Sequence, residues 1–297
     1  MRRIIFLFLC SLACTNLSAR AQQVSSSPSP IINDLKMLTT FELGMGKLLN
    51  DKQTVKPSTI LKQLKSEPRL KQPFRFAPPG TRRLEPADIY NLRLASTVLV
   101  GDIAKCGECP LNHGDMAGGV AIASNLVLTA YHVIDSGDVL AQGVMSFDGV
   151  VRPIRRIVAA DEDSDLAVVQ TDGPPLRPAP VSGGDRVGEA VIALSHPAGR
   201  YYMLTEGRIA RFTRYPLDED KPQKGSYEAM EITADFAWGA SGGPVYNLRG
   251  EVCGIIVTTE SIYYEQTRKR QTDLQMVIKA CAPVRAIRSL LKPVATP

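Results

Sequence analysis

The chain has 297 residues, 44% of them apolar and 22% charged, with 23 Gly and 21 Pro. That balance excludes collagen-like, coiled-coil and wholly disordered proteins, and the length is enough to bury a core without metal or disulfide staples. The formal charge of +5 points toward nucleic acid, but Arg2, Arg3 and Arg20 lie in an N-terminal stretch without an acid, and the remainder holds 32 basic against 30 acidic side chains, too even for a strong polyanion partner.

Residues 1–21 read as an export signal. Arg2-Arg3 precede an apolar run from Ile4 to Ala13, and Ala19-Arg20-Ala21 forms a small-x-small cleavage site before Gln22. The run is about half of what a bilayer span needs, and no later stretch is apolar enough to span. Cleavage after Ala13, leaving Cys14 as a lipoprotein residue, is the alternative. The expectation is an exported protein, periplasmic or secreted, without stable membrane insertion. Processing leaves Cys106, Cys109, Cys253 and Cys281; two disulfides are permitted and three pairings stay open.

Residues 22–85 form a Ser/Pro tether, Val24 to Pro30, followed by a basic extension. Ile31, Ile32, Leu35, Leu38, Leu43, Leu48 and Leu49 approach helical spacing over 31–49, which Gly44 and Gly46 weaken. A second short helix is expected from an N-cap at Ser58 through Ile60, Leu61 and Leu64 to about Lys65, stopped by Pro68. Between 31 and 85 there are 11 basic and 5 acidic residues, so the chain from 86 onward is net acidic. Three readings stay open for this segment: a solvated extension, a pro-region or brace docked on the acidic remainder, or a contact to a partner or anionic surface.

From Pro86 the texture changes. A short helix over Pro86 to about Ala95 leads into β-rich runs: Thr97–Val100, Gly119–Ser124, Leu126–Thr129, Val150–Val158, Leu166–Gln170, Ala190–Ser195, Met203–Arg211, Tyr227–Ile232, Gly243–Tyr246, Val252–Thr258 and Leu274–Cys281. Many short strands without intervening helical periods predict an all-β barrel or sandwich. Val284 to Leu291, with Ile287, Leu290 and Leu291 on one face, predicts a C-terminal helix.

Three segments concentrate hydrolase chemistry, in the order His, Asp, Ser. Leu126 to Val133 is a β-run ending at His132; Asp163-Ser-Asp165 opens the run Leu166 to Val169; and Trp238-Gly-Ala-Ser241-Gly-Gly-Pro244 sets a serine in a glycine-rich turn. A serine hydroxyl is a poor nucleophile at neutral pH, so a histidine must take its proton, and a carboxylate must fix the histidine tautomer and stabilise the imidazolium. Glycines beside the serine allow a tight turn whose N–H groups converge where an oxyanion would form.

These residues resemble the trypsin-like (chymotrypsin-fold) serine peptidases, and within them the HtrA/Deg-like branch, over about Ile89 to Leu291. Further likenesses are Ala117-Gly-Gly-Val-Ala-Ile122, Ser195-His-Pro-Ala-Gly199, Gly250-Glu-Val-Cys-Gly-Ile255 and Ala280-Cys-Ala-Pro283. The resemblance implies an all-β domain over 86–297 made of two antiparallel six-stranded β-barrels, meeting near 175–190, with a short C-terminal helix after a partly helical N-terminal extension. It implies a serine endopeptidase without cofactor or metal, acting on protein or peptide substrates, with His132 as general base, Asp165 as orienting acid and Ser241 as nucleophile. The amides of Gly239 and Ser241 would form the oxyanion hole. Asp235, six residues before Ser241, matches the floor of a primary specificity pocket that selects Lys or Arg, although Ile255, Ile256 and Val257 are bulky for its walls.

Two departures stand out. Ala240 replaces the Asp that binds a new N-terminal amine during activation of digestive enzymes, so a pro-segment would have to act by steric masking. HtrA-like enzymes usually carry a peptide-binding PDZ domain after the protease, whereas this chain reaches Pro297 directly after the final helix. Cys106-Gly-Glu-Cys109 with His113 suggests zinc, but lacks a full ligand set; a loop disulfide or free thiols fit better. The competing class is a peptide or partner binder on the same scaffold with a misaligned triad.

Overall fold

The structure, a computed structural model, describes residues 28–108, 112–218, 221, 223, 225–267 and 270–293. The leader, the start of the tether and Cys109 lie outside the described residues. No helix among the described residues is long and apolar enough to cross a membrane.

Six strands form the first barrel: β1 (Thr97–Lys105), β2 (Asn112–Ala123), β3 (Leu126–Thr129), β4 (Ala141–Ser146), β5 (Val151–Asp161) and β6 (Leu166–Thr171). They pair antiparallel in the order β1-β2-β3-β6-β5-β4, and β4 returns to β1. The second barrel repeats the plan with β7 (Ala190–Ser195), β8 (Met203–Pro216), β9 (Ser226–Ile232), β10 (Pro244–Asn247), β11 (Val252–Gln266) and β12 (Gln271–Pro283). Its order is β10-β11-β12-β9-β8-β7, closed by β7 on β10. Closure gives every strand of each barrel a neighbour on both sides. One buried cluster includes Leu99, Leu128 and Met145 from the first barrel and Ile192, Tyr246 and Ile255 from the second, so the barrels share a core.

The predicted strands recur, several of them longer: β1 and β8 run on to Lys105 and Pro216, and β2 starts at Asn112. β4 was not among the predicted runs, because Ala141-Gln-Gly-Val-Met-Ser146 is buried throughout and shows no alternation. β11 and β12 run well past the predicted ends, pairing in register to Gln266↔Gln271 as a long hairpin.

Helix α1 (Asp34–Asn50) starts at Asn33, whose Oδ1 accepts from Lys36 N at 2.9 Å. Gly44 in the helix and Gly143 in β4 mark a close approach. A Cβ at Gly44 would sit 2.6 Å from the Val151 side chain, and one on Gly143 of β4 would sit 2.2 Å from Met45 Sδ. Helix α2 (Pro57–Leu64) begins two residues earlier than predicted, because Pro57 takes the first helical position and Lys56, not Ser58, is the N-cap. Phe41, Met45, Ile60 and Leu64 are fully buried in clusters with barrel residues. At about 1.5–3 kcal/mol for each such side chain, residues 34–64 are docked on the first barrel rather than solvated. Helix α3 (Pro86–Arg93) leads into β1, and α5 (Val284–Leu290) closes the chain by burying Val284, Ile287 and Leu290.

Candidate active site

His132 sits on a one-turn helix, α4 (Tyr131–Ile134), that follows β3. Asp165 ends a tight turn between β5 and β6, in which its N–H donates to Glu162 O at 3.0 Å. Its φ is +51°, a left-handed conformation that Asp tolerates better than most residues. Three bonds join the two elements. Tyr131 N donates to Asp165 O at 3.1 Å, His132 N donates to Asp165 Oδ1 at 2.9 Å, and His132 Nδ1 lies 2.6 Å from Asp165 Oδ2. The carboxylate is 20% exposed and the imidazole 50%. The bond to Asp165 raises the His132 pKa above 6.5, against a smaller opposing effect of burial.

Ser241 lies in the turn between β9 and β10. Gly239 and Gly242 have φ of +82° and +75°, and a Cβ at Gly242 would sit 2.2 Å from both Gly118 O and Thr129 Oγ1. The turn is pressed against the first barrel. Gly118 N donates to Ser241 O at 2.7 Å, Thr129 Oγ1 donates to Gly118 O at 2.7 Å, and a Cβ at Gly118 would collide with the backbone of Gly243 at 2.6 Å. This explains the Ala117-Gly-Gly run, whose role no local pattern announced: Gly118 lets the serine turn reach the barrel that carries His132.

Ser241 Oγ lies 3.5 Å from Val257 O, the limit of a hydrogen bond. Among the described residues no bond joins the hydroxyl to His132. Both side chains line one open cavity of about 600 Å3, shared with Asp165, Phe236, Trp238 and Ile256. An adjoining cavity of about 220 Å3 is lined by His132, Gly239, Ser241, Asp102 and Asp115. Among the described residues the N–H groups of Gly239 and Ser241 have no acceptor, while Ala240 and Gly243 N–H are bonded within the turn and Gly242 N–H donates to Ile256 O of β11. The Trp238 carbonyl accepts from Ala198 N at 2.7 Å, which fixes the peptide plane that carries the Gly239 N–H.

Asp235 does not line this cavity. Its carboxylate is 85% exposed and pairs at 3.0 Å with Nζ of the buried Lys279, so it is a solvent-facing carboxylate with a partner and not a buried charge awaiting a cationic side chain. The walls near Ser241 are Phe236, Ala237, Ile256 and Val257. Trp238, 75% exposed, lines both cavities. His196 is structural: its Nδ1 accepts from Tyr202 N at 3.0 Å and its Nε2 donates to Val98 O at 3.2 Å. Cys253 and Cys281 are buried free thiols and no disulfide joins them; Cys253 Sγ donates to Val245 O at 3.3 Å, and burial pushes both pKa values up. His113 faces Glu42 at 3.5 Å, and among the described residues no cluster of His, Cys, Asp and Glu fits a metal ion.

Comparison with known proteins bears on the same region. Residues 117–255 match the family model described as a trypsin-like peptidase domain. A Synechocystis protein carrying the serine-protease name HhoA is 34% identical over 149 residues, covering 48% of this chain and 36% of that one. A Haemophilus influenzae protein named as a periplasmic serine protease, do/HhoA-like, is 33% identical over 156 residues, 50% of this chain and 32% of that one. The chain thus spans about a third of the length of these curated relatives. Among solved structures, Rv3671c from M. tuberculosis, a serine-to-alanine mutant in an inactive form, shares the fold with a TM-score of 0.51 at 19% identity, over 73% of this chain and 94% of that one.

Proposed function

Since the chain carries a trypsin-like peptidase domain of the HtrA/Deg-like kind, we propose that it is an exported serine endopeptidase in which Ser241, His132 and Asp165 act together on protein substrates. The observation that carries this reading is the 2.6 Å contact of His132 Nδ1 with Asp165 Oδ2, in a cavity that also holds Ser241. A neutral imidazole with Nδ1–H on the carboxylate leaves Nε2 as the base.

Rotation about χ1 brings Ser241 Oγ from Val257 O toward His132 Nε2, a contact that commonly tightens only when substrate is bound. Oγ then attacks the peptide carbonyl carbon while its proton passes to Nε2. The imidazolium so formed is held by Asp165, and the oxyanion takes the vacant N–H groups of Gly239 and Ser241. Losing one such donor costs about 3 kcal/mol of barrier. His132 next protonates the leaving amine, the C–N bond breaks, and an ester remains on Ser241. Water, deprotonated by His132, attacks the ester carbon; the C–Oγ bond breaks to release the carboxyl product, and His132 returns the proton to Oγ.

The substrate's carbonyl-side residue would rest on Phe236, Ala237, Ile256 and Val257, an apolar surface that favours an uncharged side chain. A peptide library given to the full chain tests both points. Cleavage after apolar residues, absent in Ser241→Ala, is expected; cleavage after Lys or Arg would restore Asp235 as the selector, and no cleavage would favour the non-proteolytic binder. That second reading draws on the Ser241 Oγ position beside Val257 O.

A further inference from the structure

We infer that residues 57–69 form a positioning clamp for the His132–Asp165 pair, with Glu67 as the positioning residue that holds the turn leading to Asp165. This rests on the reading of those two side chains as the reacting pair.

The clamp touches both elements of the site. On the His132 side, Ile60 and Leu64 of α2 are buried in one cluster with Tyr131 and Ile134, the first and last residues of α4. Lys65 Nζ pairs at 3.3 Å with Asp135 Oδ2 at the end of the same helix. On the Asp165 side, Glu67 Oε1 accepts from Glu162 N at 2.8 Å, and Glu162 O is the acceptor for Asp165 N at 3.0 Å. One carboxylate therefore anchors the first residue of a turn whose last residue bonds His132.

The neighbouring bonds follow from the shape of β5. Its register with β6 shifts between Ile154 and Arg156 and again between Ile157 and Ala159, and such bulges turn backbone groups away from the ladder. The clamp supplies acceptors along this stretch: Gln63 Oε1 for Ile157 N at 2.9 Å and Pro68 O for Ala160 N at 3.0 Å. Glu67 adopts φ +44°, uncommon outside glycine, which turns the chain from the end of α2 along β5.

Loosening the Glu162 anchor lets Asp165 drift from His132, and small misplacements in a reacting constellation are costly in rate. The charged groups around His132 are Asp165 and Glu162 from the turn, Asp135 from its own helix end, Asp102 and Asp115 across the adjoining cavity, and Lys65 and Glu67 from the clamp; the residues that the second barrel contributes to these walls, Ser241 and Trp238 among them, are all uncharged. Asp165 is the group that raises the His132 pKa, so its displacement moves the acid limb of activity to lower pH.

The test uses the full chain, comparing wild type with Glu67→Ala and Glu67→Gln, the latter keeping an acceptor oxygen. The rate of Ser241 labelling by a fluorophosphonate, peptide kcat and KM, the pH profile and the melting temperature are measured. In Glu67→Ala, labelling and kcat are expected to fall roughly tenfold with KM within about twofold, and the acid limb to shift to lower pH. Glu67→Gln is expected to recover most of the rate. Labelling of Glu67→Ala at the wild-type rate with an unmoved pH profile overturns the clamp, as does an equal loss in both variants. Failure of wild type itself to label overturns the underlying reading instead.

Discussion

His196 shows what burial does to a single titratable residue. The ring is fully buried with both nitrogens bonded to backbone, and desolvation lowers its pKa from 6.5 to about 4. A depressed folded pKa means the stabilisation is complete above about 6.5 and is lost as pH falls toward 4, worth about 3 kcal/mol in all. Urea unfolding of wild type and His196→Gln at pH 7 and pH 4 checks this. Wild type should lose about 3 kcal/mol more than the variant over that interval; equal losses would contradict it. At this scale the sequence was legible where chemistry is local. His132, Asp165 and Ser241 stand at strand ends and in a glycine-rich turn, so their order and surroundings pointed to one site. The partner of Asp235 was not legible because it is remote: Lys279 comes from β12, and no pattern around residue 235 reveals a cation 44 positions away.

Among the elements, α1 depends on two glycines, of which Gly44 looked unfavourable in the sequence. Gly44 within the helix and Gly143 in β4 remove side chains where α1 meets the barrel, and Met45 Sδ fills the space above Gly143. Met45→Ala should therefore cost about 2–5 kcal/mol, read as a lower urea midpoint with unchanged slope. A loss below about 0.5 kcal/mol, usual for surface sites, would mean that α1 is not docked in solution. The helical periods of α1 and α2 were visible in the sequence, but their attachment was not. It depends on contacts between residues about 100 positions apart, as in the Arg155 Nη1 bond to Gln53 O at 2.9 Å. The extra length of β11 and β12 was hidden for another reason: beyond the barrel the hairpin is largely exposed, so no alternation of buried and exposed residues marks it.

Across the whole molecule, the charge separation in the sequence becomes a docking arrangement. The basic extension lies on the net acidic remainder, with Lys65 on Asp135 and Arg69 on Asp161 at 3.6 Å. Exposed pairs of this kind contribute about 0–1 kcal/mol each, so they orient the extension while Phe41, Met45, Ile60 and Leu64 hold it. Between the barrels, Gly118 N on Ser241 O, His196 Nε2 on Val98 O, and the 3.0 Å contact of Thr97 Oγ1 with Tyr246 OH set the distance across the cleft. The serine and the histidine thus line one cavity because two separately closed barrels are bonded together beside them. The central claim, that this arrangement activates Ser241, is tested most directly by the intact mass of the full chain after treatment with a fluorophosphonate. A single adduct mapped to Ser241, absent in Ser241→Ala and strongly slowed in His132→Ala, is the predicted result; a wild-type chain that stays unmodified, or one labelled equally well without His132, would contradict it.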